Sequence, residues 1–247
     1  WDSVRVGADN EFLWRFRTRF GDGAIVETPR DLPLSLSLVR DESLTRQSAT
    51  NVKTTLHGLR RDYQRTYRRW QDKLEGAALK MPSGDSARPF DAPGSILPDQ
   101  TDSSAETVVI ADFSIKGPGV DLAVEVLKRE VANGVPVAIF HWRDYENDFD
   151  FTFHPEVCEL LDAGNVKQVS AFTQASAERI VLCDPYLAVF PIEGVPDFRA
   201  KIVEILCVYA GSQAVALDSR RRRMPTLEQL GRIFDTECRW ENLELCG

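Results

Sequence analysis

The second half of the chain predicts an α/β fold, an open and mostly parallel sheet with helices on both faces, and two observations carry that reading. Short apolar runs that end in a polar residue, Val108-Val109-Ile110-Ala111-Asp112 first among them, have the pattern of strands buried on both faces. They alternate with helical periodicity, so that strand, Gly-rich turn, helix and strand follow one another from Val108 to Trp142 as a βαβ unit. The expected architecture is a Rossmann-like module over residues 105–247. A smaller helix and strand arm over 1–80 precedes it, with a Pro-rich linker over 81–104.

Taken in order, Asp9–Phe20 reads as a short helix, because Phe12, Phe16 and Phe20 recur every four residues and Gly21-Asp22-Gly23 stops the pattern. Ala24–Glu27 and Leu32–Val39 read as strands, the second alternating Leu34, Leu36 and Leu38 with Ser35, Ser37 and Val39. A helix is expected from about Asn51 to Leu74, with Leu56, Leu59, Tyr63, Tyr67, Trp70 and Leu74 on one face. Arg60, Arg61, Arg65, Arg68 and Arg69 form a solvated basic face opposite. From Met81 to Ser104 periodicity is lost among prolines, and Phe90, Ile96 and Leu97 require a surface to lie against.

After the first strand of the second module, Gly117-Pro118-Gly119 opens a helix over about Val120–Asn133, ended by Gly134. Val135–Trp142 is a second strand, Pro155–Ala163 a helix and Val166–Val169 a short strand. Arg179–Cys183, Leu187–Phe190 and Lys201–Tyr209 are strand material. Thr226 caps a closing helix that runs to Asp235.

Composition narrows the function. With 43% hydrophobic and 28% charged residues the chain has the balance of a globular protein, and a net charge of −8 argues against broad nucleic-acid binding. Arg220–Arg223 reads as a solvated loop, a lipid or phosphate contact being the other reading. The five scattered cysteines form no Cys-x-x-Cys pair and fit reduced thiols in the cytoplasm. Asp148-Phe149-Asp150 reads as a solvated acidic loop, and His154 with Cys158 lacks a third metal ligand.

Gly7-Ala8-Asp9-Asn10-Glu11-Phe12 opening into a helix resembles the acidic motif late in the catalytic domain of inverting family 2 glycosyltransferases. The resemblance continues through Pro33–Leu38, Ser43–Arg46, Tyr63 with Trp70, and Arg88–Pro93. It implies that residues 1–80 are the tail of a GT-A domain from a larger bacterial enzyme and that the chain begins partway through it. Asp9 would then be the base that deprotonates the acceptor hydroxyl, with Glu11 beside it. It also implies a nucleotide-sugar donor and a cell-surface glycan acceptor, a divalent metal held elsewhere in the parent enzyme, and no cofactor in this chain. Peripheral contact with the inner membrane face would go with lipid-linked acceptors. The second module resembles one half of a GT-B fold. Lys116, Gly117 and Gly119 stand where a loop covers a nucleotide, and His141 with Trp142 ends a strand where a sugar could be held, Trp142 offering a stacking ring. With neither donor half present, the 247-residue chain alone is expected to be inactive. Two other readings stay open: a non-catalytic carbohydrate-binding or scaffold module, and a small doubly wound domain holding Mg at Asp112.

Overall fold

The computed structural model describes residues 2–26, 43, 45–75, 78–81, 88–98, 102–114, 117–143, 152–190, 192–206 and 225–241. The second half is a Rossmann-like α/β fold. Its six strands are β1 Asp102–Ala111, β2 Val137–His141, β3 Val166–Val169, β4 Gln174–Leu182, β5 Ile202–Leu206 and β6 Cys238–Glu241, all parallel, in the order β3-β2-β1-β4-β5-β6. The chain therefore works outward from β1 on one side and then resumes on the other at β4. The switch between those two strands is where open sheets of this kind place ligands.

Right-handed crossovers put helices that lead in opposite directions on opposite faces. Helices α3 (Pro118–Ala132) and α4 (Pro155–Asp162) cover one face with Val109, Ala111, Ile139 and Val181 beneath them. Helix α5 (Leu227–Phe234) covers the other, above Val108, Ile110, Phe140 and Ile205. Strands β3 and β4 are joined by residues 170–173 without a helix, closed by a bond from Thr173 Oγ1 to the Ser170 carbonyl (2.5 Å).

The arm has its own core. Helix α1 (Ala8–Phe20) packs on α2 (Leu59–Asp72), and Tyr63, Tyr67 and Trp70 of α2 meet Val6, Phe90 and Ile96. Phe90 lies 5.3 Å from Trp70, centroid to centroid, so the Pro-rich segment is laid against α2. Among the described residues no helix is long and apolar enough to cross a membrane.

Several element boundaries differ from the sequence reading. The helix expected from Asn51 to Leu74 is interrupted: Val52–Thr55 forms a 3-10 turn, and Gly58, at φ 116°, turns the chain before α2 starts. Strand β1 begins at Asp102, inside the expected linker, because Asp102–Ala105 pair with Gln174–Ala177. Leu187–Phe190 is not a strand; Pro185–Val189 is a 3-10 helix whose first turn is capped by Asp184 Oδ1 accepting from the Tyr186 amide (3.0 Å). Strand β6 was not expected. The basic face of α2 is not uniformly solvated either, since Arg61 and Arg65 are buried. The strand expected over Leu32–Val39, Asp148–Asp150 and Arg220–Arg223 lie outside the described residues.

Candidate functional site

The acidic motif takes its shape from Gly7. This residue stands before α1 at φ 85°, a left-handed conformation that favours glycine, and a Cβ there would lie 3.1 Å from Tyr63 Cδ1. Asp9 does not cap the helix, whose N-cap is Gly7 with no side-chain bond. Asp9 is exposed in the first turn and pairs with no described residue. Glu11 is the opposite case. It is 0% exposed, accepts from Arg15 Nε at 2.8 Å and from Gln71 Nε2 at 3.2 Å, and so fastens α1 to α2. The motif thus separates into a carboxylate that faces outward and one that holds the helix. Gly7→Ala is expected to lower stability by about 1–2 kcal/mol, the cost of a Cβ in the left-handed region. Chemical denaturation measures it, and an unchanged midpoint would show the conformation to be unconstrained.

At the C-terminal edge of the sheet, Asp112 follows β1 and accepts from the amide and hydroxyl of Ser114 (2.9 and 2.6 Å). Asp184 follows β4, and a Cβ on Gly119 would meet its Cβ at 3.3 Å. The N-terminus of α3 therefore faces the chain's own carboxylate, which the positive end of the helix dipole favours. Gly117 stands one residue before α3; Lys116 lies outside the described residues. Trp142 is 0% exposed, edge-on to Phe140 and near Phe234, and its Nε1 donates to the Phe190 carbonyl at 3.2 Å. Its ring is a core element here and offers no open face for stacking a sugar.

His141, also buried, is drawn into a polar cluster that sequence reading missed. The start of α2, with His57 just before it, lies by the ends of β1, β2 and β3 and sets His57, Arg61, Asp62 and Arg65 against Asp112, His141, Ser170 and Arg143. Arg65 donates to Asp62 at 2.9 Å and lies over the Phe153 ring at 4.8 Å. Burial pushes the Asp62 carboxyl up and the Arg65 guanidinium down. His141 Nδ1 lies 3.8 Å from Asp112 but accepts the Phe113 amide at 3.3 Å, so the proton of the neutral ring sits on Nε2 and the pair is not ionic. Burial, with Arg65, His57 and Arg143 adding to it, holds the His141 pKa well below the ordinary 6.5. Burial also lowers that of His57.

These shifts fix a pH dependence. Above about pH 6.5 the imidazoles are neutral in both states; below it the unfolded chain takes up protons that the fold refuses, so stability falls with falling pH. For His141 alone the slope approaches about 1.4 kcal/mol per pH unit. Asp62, with its raised pKa, works in the opposite sense. Urea unfolding between pH 8 and 5.5 should show a shallower slope in His141→Gln, and equal slopes would contradict the neutral assignment.

Asp9 and Glu11 share one helix, and His141 and Gly119 share one sheet edge, but the structure does not gather the two pairs at one point through any described contact. The residues missed from sequence are Asp62, Arg65 and Asp184. Only the basic periodicity of α2 and the Asp184-Pro185 turn signal hinted at them. Among the described residues no three His, Cys, Asp or Glu side chains are grouped to hold a metal. No protein-family model, curated protein or solved structure matches the chain.

Proposed function

We propose that this chain belongs to an inverting glycosyltransferase that passes a sugar from a nucleotide donor to a cell-surface glycan, in the cytoplasm at the inner membrane face, with residues 1–80 as the tail of its GT-A domain. The observation that carries the reading is the division of labour in the acidic motif. A base must reach the acceptor hydroxyl with a free carboxylate, and Asp9 presents one while Glu11 is consumed in holding the helix. In this reading Asp9 takes the acceptor proton as the acceptor oxygen attacks the anomeric carbon and the nucleoside diphosphate departs. Glu11 and Gly7 are positioning residues.

The Rossmann-like module serves this enzyme as a scaffold. Asp184 and Asp121 set negative charge at the N-terminus of α3, where a donor phosphate would otherwise lie, and the Trp142 ring is committed to the core. The test uses the native polypeptide at its full length in the source cell. It is incubated with uridine, guanosine and thymidine diphosphate sugars and a cell-surface glycan extract, and released nucleoside diphosphate and product anomeric configuration are followed. Donor-dependent release with inversion supports the reading; no transfer from any donor, or retention, overturns it.

A further inference from the structure

Buried side-chain nitrogens without a hydrogen-bond partner gather where the segment from His57 into α2 meets the sheet edge. Arg65 Nε, His57 Nε2 and His141 Nε2 have no hydrogen-bond partner, and in His141 the tautomer makes Nε2 the N–H. Three guanidinium groups face this region, Arg61 and Arg65 from α2 and Arg143 after β2. Among the described residues, the carboxylates facing it are Asp62 from α2 and Asp112 after β1. Arg65 also lines a cavity of about 240 Å³ between α2 and α4, with Arg68, Arg69 and Asp72 on one wall and Phe153 and Cys158 on the other. A water occupies about 30 Å³ of liquid, so the space admits an ion of phosphate size.

The arginines of this wall are not equivalent. Arg65 is paired with Asp62, and Arg69 with Asp162 at 2.8 Å. Arg68 lies over the Trp14 ring at 3.5 Å and has no carboxylate partner among the described residues. A guanidinium held by an aromatic face keeps its donors in plane for an oxyanion. Cationic heads above an apolar floor would hold such an ion away from competing water.

We propose that the cavity between α2 and α4 is a binding site for a phosphate-type oxyanion, free or as a terminal phosphoryl group, held by Arg65, Arg68 and Arg69. The anion gives Arg68, which has no carboxylate partner among the described residues, an acceptor beside the guanidinium groups of Arg65 and Arg69. Behind Phe153, whose ring centroid is 5.0 Å from that of His141, the imidazoles then feel less positive charge.

The probe is inorganic phosphate, titrated at fixed ionic strength against chloride, with methyl phosphate as a second arm. Thermal unfolding should show a saturable rise in midpoint with phosphate and none with chloride. Arg68→Gln, outside the buried pair, should lower the unliganded midpoint slightly, through loss of its contact with Trp14, and weaken phosphate binding at least tenfold; Arg65→Gln serves as a second variant if it folds. Tighter binding of methyl phosphate than of phosphate would identify a terminal phosphoryl group as the source. Equal midpoints in phosphate and chloride, or unchanged affinity in Arg68→Gln, would overturn the proposal.

Discussion

Asp9→Asn should reduce kcat of the native polypeptide by about 10²–10⁴, the range in which a positioned general base contributes. The substitution keeps size and shape in an exposed position that makes no bond within the described structure, so folding should be unaffected. The donor KM should change little, since the lost interaction belongs to the attacking hydroxyl. Glu11→Gln is the control. It weakens the clasp to Arg15, and its cost falls on stability ahead of chemistry. Turnover within twofold of wild type in Asp9→Asn would remove this residue from the mechanism, while a loss in Glu11→Gln at unchanged stability would move the base to Glu11.

The second large effect is on the fold. Trp142→Ala should cost about 3–5 kcal/mol, the usual range for emptying a buried aromatic site. The indole sits between Phe140 and Phe234 and its N–H satisfies the Phe190 carbonyl, so the substitution opens a cavity and orphans an acceptor together. Denaturant unfolding should report a lower midpoint with an unchanged slope. A midpoint equal to wild type, joined to lost binding of a saccharide, would make the ring a ligand platform and reverse its assignment to the core.

The parts of the fold legible in the sequence are those whose burial is two-sided. Val108–Ala111 and Val137–His141 carry continuous apolar character because both faces of the sheet are covered. Asp102–Ala105 carry none and become strand only through pairing with β4, a partner some seventy residues on. Leu187–Phe190 reads as a strand by composition, yet the Asp184 cap and Pro185 coil Pro185–Val189 into a 3-10 turn. The candidate site was legible as residue types but not as roles. Asp9 and Glu11 look alike in the first turn of a helix, and only the packing of α1 on α2 turns one inward. Likewise the arginine periodicity of α2 marks a basic face, while its place by a sheet edge is a tertiary fact with no local signature.

The central position of β1 bears on synthesis from the N-terminus. The arm leaves the ribosome before the sheet, and Asp62 and Arg65 of α2 have no sheet edge to lie on until β1, β2 and β3 have followed. β1 in turn waits for β4 before both its sides are paired. At roughly 5–20 residues per second the interval from Leu59 to Leu182 lasts on the order of ten seconds. During that time the nascent arm exposes charged groups destined for burial, and holding it in water until the sheet closes is a task that a charged α2 performs better than an apolar one would.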